Sequence, residues 1–133
     1  MSQPERSSIL LGPHKLVAFV ATTDAARARM FYQDVLGLRL VKDELPFALV
    51  FDANGIMLRV TIVPDFVPAQ HTVLGWDVPD IVATATQLQQ AGVACERYGF
   101  FKQDALGIWS SPSGAKVAWF KDPDGNTLSV TQF

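Results

Sequence analysis

Residues 52–61 read Asp-Ala-Asn-Gly-Ile-Met-Leu-Arg-Val-Thr, and residues 122–131 read Asp-Pro-Asp-Gly-Asn-Thr-Leu-Ser-Val-Thr. Asp52, Gly55, Leu58, Val60 and Thr61 recur 70 residues on as Asp122, Gly125, Leu128, Val130 and Thr131. Each copy is a turn signal followed by alternating apolar residues, the pattern of a hairpin strand. Self-similarity at a fixed shift predicts a duplicated architecture. It also makes Arg59 and Ser129 equivalent positions.

Upstream segments repeat as well. Lys15–Thr22 is an apolar strand followed by Asp24 and a helical run to Leu36; Thr72–Val78 is an apolar strand followed by Asp80 and a helical run to Ala91. The first helix carries Ala28, Phe31, Tyr32, Val35 and Leu36 at the spacing of one buried face. The second carries Ile81, Val82, Ala85 and Leu88, and Gly37 and Gly92 are expected to close the two helices in the left-handed conformation. The shift here is 56 rather than 70, so the second half holds 14 extra residues, expected within Phe100–Gly114. Strands are predicted near 15–22, 38–43, 46–52, 55–63, 72–78, 94–98, 115–121 and 126–132. A short ninth is expected near Gly107–Ser111.

A chain of 133 residues with 49 % hydrophobic and 18 % charged content is expected to form one compact domain. A net charge of −2 and scattered Lys and Arg argue against a nucleic-acid footprint. No apolar run has transmembrane length. Met1–Ser8 is polar and reads as a loose arm rather than a signal peptide. The single cysteine, Cys95, excludes an internal disulfide and fits a reducing, cytoplasmic compartment. There is no Gly-rich phosphate loop and no nucleophile elbow.

Alternation sorts the faces. Ile56, Leu58, Val60 and Ile62 point one way, and Met57, Arg59 and Thr61 the other. In the partner strand Thr127, Ser129 and Thr131 share the second face. The apolar face is expected beneath the helices; the mixed face is expected to line a wetter, concave cleft. Val17, Phe19 and Ala21, and Val73, Gly75 and Asp77, have the matching parity. Trp76 has the opposite parity and is expected in the core under a helix.

The run Thr23-Asp24-Ala-Ala-Arg-Ala-Arg-Met-Phe31-Tyr32-Gln-Asp-Val-Leu36-Gly37-Leu38 resembles the first helix of vicinal oxygen chelate proteins. The run Lys121-Asp122-Pro123-Asp124-Gly125-Asn126 resembles their last hairpin. That superfamily includes glyoxalase I, bleomycin and fosfomycin resistance proteins, and extradiol dioxygenases. The resemblance covers residues 15–133. It implies an α+β fold of two tandem βαβββ modules, residues 15–63 and 72–133. Their curved mixed sheets would form a ligand cleft with helices outside, completed in a homodimer. Metal-dependent relatives place ligands on the first and last strand of each module. Those places fall on Val17, Arg59, Val73 and Ser129. Val has no lone pair, Arg is cationic, and Ser is a poor ligand for Zn, Ni or Fe. The expectation is therefore a protein without metal or other cofactor.

Arg59 is the first candidate for ligand contact, because a cation on a cleft face must be paired or must await an anion. Its alternative is an internal salt bridge with Asp77 or Glu96. Met57, Phe19 and Ser129 share the cleft face. Tyr98, Phe101 and Trp109 of the insertion would add an aromatic wall for a flat or apolar ligand; their alternative is core or dimer packing. His71, Asp77 and Glu96 are the candidate acids or bases. His71 and Asp77 could form a displaced metal site, but one His and one Asp fall short of a ligand set. Two functional readings follow. One is a dimeric binding protein that sequesters or senses a small organic molecule. The other is a metal-independent lyase or isomerase acting on a small carbonyl or carboxylate metabolite. Neither involves nucleic acid or membrane.

Overall fold

The computed structural model describes residues 10–133; the Met1–Ser8 arm lies outside the described residues. Two four-stranded mixed sheets repeat one topology. The first has the order β1-β4-β3-β2, from Val17–Thr22, Ile56–Ile62, Ala48–Ala53 and Arg39–Glu44. The second has the order β5-β8-β7-β6, from Thr72–Asp77, Thr127–Gln132, Lys116–Lys121 and Trp109–Ser110. In each, the helix-preceding strand runs parallel to the last strand. The duplication holds in register: Phe19 pairs with Arg59, and Gly75 pairs with Ser129, the same positions displaced by the two shifts of the sequence repeat.

Helix α1, Ala25–Arg29, starts at Asp24, whose carboxylate accepts from the Arg27 N–H at 3.1 Å. The chain then widens into a π-helical turn over Met30–Val35, closed by a bond from Leu36 N–H to Phe31 C=O at 2.9 Å. The widened turn seats two consecutive rings, Phe31 and Tyr32, in the core. Helix α2, Ile81–Gln90, is capped in the same way by Asp80, with Ala83 N–H donating at 3.1 Å. Ile81, Ala85 and Leu88 are buried, but Val82 is 50 % exposed and departs from the expected face. A true i, i+4, i+7 stripe excludes it.

One core joins the modules. Leu58 and Val60 of β4, Phe51 of β3, Leu128 and Val130 of β8 and Phe120 of β7 meet Tyr32, Ile81 and Leu88 from the helical segments. Trp76 packs against this core and stacks on Phe120, with centroids 6.4 Å apart, though it stays half-buried.

The expected strand over 94–98 does not form. One backbone bond, Glu96 N–H to Trp119 C=O at 2.7 Å, ties this segment to β7. The edge position goes instead to β6, the short strand expected near Gly107–Ser111. The reason is local: the Gln103 side chain takes the backbone groups that a ladder would need. Its Nε2 donates to Glu96 C=O at 2.9 Å and to Gly107 C=O at 2.7 Å, and its Oε1 accepts from Tyr98 N–H at 2.8 Å.

The β7–β8 turn locks the modules together. Asp122 Oδ1 accepts from Asp124 N–H (3.0 Å) and Asn126 N–H (2.9 Å), and Oδ2 accepts from Asn126 Nδ2 (2.8 Å) and Tyr32 OH (2.6 Å). Burial, and then the Asp122 charge, push the Tyr32 phenol far above its ordinary value, so it stays a donor. Asn126 Nδ2 also donates to Ala21 C=O at 2.9 Å. Asp124, 3 % exposed at its side chain, accepts from Thr22 and Thr23 and forms a 3.1 Å ion pair with Arg27.

Burial pushes the Asp124 carboxyl upward, but the Thr22 and Thr23 donors and the Arg27 charge outweigh it and hold it below its ordinary value. A depressed pKa means stabilisation that is complete above the unfolded value, about 3.9, and lost as pH falls through the folded one. Asp124→Ala should cost about 2 kcal/mol at pH 7. Thermal unfolding between pH 6 and pH 2.5 should show a shallower acid loss in the variant than in the wild type. Parallel curves would remove Asp124 from the inter-module clamp.

Candidate ligand-binding site

The helix-free faces of the two sheets differ in chemistry. On the first, alternation delivers Val17 and Phe19 from β1 and Met57 and Arg59 from β4, with Phe19 62 % exposed. Arg59 does not meet Asp77 or Glu96. Its Nη2 donates to Glu44 Oε1 at 2.7 Å, and Glu44 Oε2 lies 3.3 Å from Lys42 Nζ. Hydrogen bonds from Arg59 and then Lys42 hold the Glu44 carboxyl below its ordinary value. The guanidinium therefore already has a carboxylate partner within its own module.

On the second sheet the equivalent positions are small. Gly75 stands where the first has Phe19, and Ser129 where it has Arg59. A Cβ on Gly75 would lie 2.8 Å from Ser129 Oγ, so a larger residue there would force the serine hydroxyl to move. Trp119 of β7 pairs with Ser129 and lies on the same face. The segment between α2 and β6 folds over it and brings in Tyr98, Phe100 and Phe101, and β6 brings Trp109. Phe101 stacks on Trp119 with centroids 5.2 Å apart and an interplanar angle of 2°. Tyr98 meets Trp119 edge-on at 5.5 Å, and Trp109 lies 4.5 Å from Phe101. Such pairs gain about 0.5–1.5 kcal/mol each beyond area burial.

The segment is built to hold these rings. Besides Gln103, Arg97 donates to the carbonyls of Asp104 and Ala105, and Asp104 Oδ1 accepts from Leu106 N–H and Ile108 N–H, each at 2.9 Å. Buried Ile108 anchors it to the core. Burial, and then Glu96, raise the Tyr98 phenol above its ordinary value, keeping it neutral at pH 7.

Tyr98, Phe100, Phe101 and Trp119 wall one side of an open pocket of about 300 Å³, whose lining does not include Trp109. Gln70, His71, Thr72 and Thr127 complete it. The volume sits at the lower end of small-molecule sites. Thr127 Oγ1 is the one buried side-chain polar atom without a hydrogen-bond partner among the described residues. Such an atom costs about 1–3 kcal/mol.

The structure thus gathers Tyr98, Phe101 and Trp109 in one cluster, with His71 at the pocket and Ser129 nearby on the same sheet. Phe19, Met57 and Arg59 lie on the other sheet. Asp77 borders a different cavity of about 260 Å³ on the helical side, between Leu36, Trp76 and Leu88, and Glu96 is not among the residues lining the aromatic pocket. Trp119, Glu44 and Gln103 escaped the sequence reading, which had placed Thr127 on the open face without singling it out. Alternation through Lys116–Lys121 places Trp119 opposite the core residues Ala118 and Phe120 and was the available signal.

Val17, Arg59, Val73 and Ser129 do not compose a metal donor set, since they offer one hydroxyl, one cation and two hydrocarbons. No three His, Cys, Asp or Glu side chains among the described residues gather closely enough to hold a metal ion. No helix among the described residues is long and apolar enough to cross a membrane.

The sequence model of the Glyoxalase/Bleomycin resistance protein/Dioxygenase superfamily matches residues 14–130. The chain belongs to that superfamily. Among solved structures it is similar to a putative glyoxalase family protein from Bacillus anthracis, at 15 % identity, with 90 % of this chain and 95 % of that one covered and a TM-score of 0.70. It is similar to a lactoylglutathione lyase from Agrobacterium tumefaciens, at 19 % identity, with 90 % and 95 % covered and a TM-score of 0.68. A bleomycin-binding protein complexed with bleomycin matches at 19 % identity, with 90 % and 98 % covered and a TM-score of 0.68. At these identities the likeness is one of fold. No curated protein sequence matches.

Gln103→Ala would remove three hydrogen bonds that no ladder replaces. We expect a loss of about 1–3 kcal/mol in chemical unfolding and a weakened near-ultraviolet aromatic signal. An unchanged aromatic signal would mean the rings hold themselves in place.

Proposed function

We propose that this protein binds a small organic molecule at the aromatic pocket of the second sheet and sequesters or senses it without a metal ion. The observation that carries the reading is the pocket itself. Aromatic rings held by an ordered segment surround space for a ligand, and no convergent acid/base pair lines it. Superfamily membership and the bleomycin-bound relative support small-molecule binding as the activity. The side chains at Val17, Arg59, Val73 and Ser129, which do not form a metal donor set, support the metal-free part. A lyase or isomerase would need an acid and a base at the pocket; of the three candidates only His71 lines it.

The same reading includes a homodimer. Leu16, Val17, Phe19, Val41 and Met57 are exposed apolar residues of the first module. A second copy would cover such a surface, and closed two-fold pairing is the commonest arrangement among soluble oligomers. Light scattering should give twice the chain mass at micromolar concentration, and Phe19→Glu should shift it toward the monomer. A monomeric wild type would remove the dimer from the proposal.

The binding role is tested by thermal unfolding with a panel of metabolites and antibiotics, because a ligand of the native state raises its apparent stability by mass action. We expect aromatic members to raise Tm and divalent metals to leave it unchanged. Elemental analysis should find far less than one metal per chain. A stoichiometric metal, or turnover of a carbonyl metabolite, would overturn the reading.

A further inference from the structure

Thr127 begins β8 on the helix-free face of the second sheet and is 1 % exposed. Its Oγ1, unpartnered among the described residues, belongs to a residue that lines the aromatic pocket. A valine has nearly the same shape and would fill this position without burying an unmatched hydroxyl. The threonine hydroxyl can both donate and accept. Oγ1 itself is buried beneath the pocket wall, so rotation about the Thr127 Cα–Cβ bond would turn it to the pocket, where a ligand with one matching polar group would satisfy it.

The other walls restrict that ligand further. Tyr98, Phe101 and Trp119 pack on one another in stacked and edge-on pairs and together line the pocket, an aromatic wall that favours a flat aromatic body. No Lys, Arg, Asp or Glu lines the pocket. A charged ligand would lose hydration there without meeting a permanent counter-charge, since His71 is the one ionisable side chain besides Tyr98 in the lining.

We propose that Thr127 is the specificity-determining residue of this pocket, and that the ligand is an uncharged planar aromatic molecule whose hydroxyl, carbonyl or ring nitrogen bonds Thr127 Oγ1. This rests on the aromatic pocket being the ligand site. A ligand lacking the polar group leaves Oγ1 unmatched, so the site discriminates through that group. The hydroxyl is retained at a cost to the free protein that binding removes.

The test uses the full chain and four probes: 5-indanol, its hydroxyl-free parent indane, indane-5-carboxylate and trimethylphenylammonium. Binding is read from the indole N–H resonance of Trp119. The wild type should bind 5-indanol about tenfold or more tighter than indane, a difference of about 1.4 kcal/mol. Thr127→Val should weaken 5-indanol alone and erase that preference, while raising Tm by about 2–4 °C. Thr127→Ser should keep the preference. Opposite signs on binding and stability are the signature, because a merely structural hydroxyl would lower Tm when removed. A Thr127→Val protein that keeps the tenfold preference, or loses stability, overturns the assignment of Thr127. Tighter binding of the carboxylate or the ammonium overturns the uncharged class. If neither 5-indanol nor indane moves the Trp119 resonance, the aromatic pocket is not a ligand site and the underlying reading falls instead.

Discussion

The carboxylate of Asp122 is the constraint on which the rest depends. Four hydrogen bonds converge on its two oxygens, two from backbone and two from side chains. The backbone pair shapes the β7–β8 turn, and the Tyr32 hydroxyl ties that turn to the first module. The carboxylate is buried and accepts four bonds, so removing a donor leaves one of its acceptor sites without a partner in the core. The turn in turn sets β7 and β8, which carry Trp119 and Thr127. The candidate site is therefore positioned from the far module, through a tyrosine in the π-helical turn.

The two halves show how one architecture yields two surfaces. Pairing partners repeat, but side-chain size at the centre of the open face is reversed. Phe19 and Arg59 fill the middle of the first sheet, whereas Gly75 and Ser129 leave the second hollow. The hollow is what the aromatic segment occupies. In the first half an ion triplet of Lys42, Glu44 and Arg59 lies on the same surface, satisfied within itself. Divergence after duplication has moved polarity to one sheet and aromatic area to the other, with both hydrophobic faces still sharing a core.

Much of this was legible because it is periodic. The repeat of 52–61 at 122–131 announced the tandem fold, and alternation put Arg59 and Ser129 on the open faces. What escaped is aperiodic. The bulge between Leu40 and Lys42 in β2 shifts register against β3, so simple alternation did not reveal Glu44 as the partner of Arg59. Gln103 replaces a strand ladder with one amide, and no spacing rule marks a residue that hydrogen-bonds three backbone groups. Val117-Ala-Trp-Phe120 reads as a core strand, and Trp119 is assigned to the open face only by its parity against Phe120. Alternation put Thr127 on the open face with Ser129, but nothing in the sequence marks its hydroxyl as lacking a partner.

The way the segment between α2 and β6 is held has a consequence for how this scaffold tolerates change. A strand in a ladder is indexed residue by residue to its neighbour, so an insertion there slips every side chain to the wrong face. Here β7 is met by one backbone bond from Glu96 and by the two residues of β6. Between those points the chain is organised by its own side chains, around Gln103, Arg97 and Asp104. Its length is uncoupled from the pleat of the sheet beneath. Residues could be added or exchanged there, changing the shape of the pocket, while the two modules and their shared carboxylate clamp keep their geometry. The segment behaves as a cassette on a fixed frame, and the pocket it shapes can be rebuilt without refolding the domain.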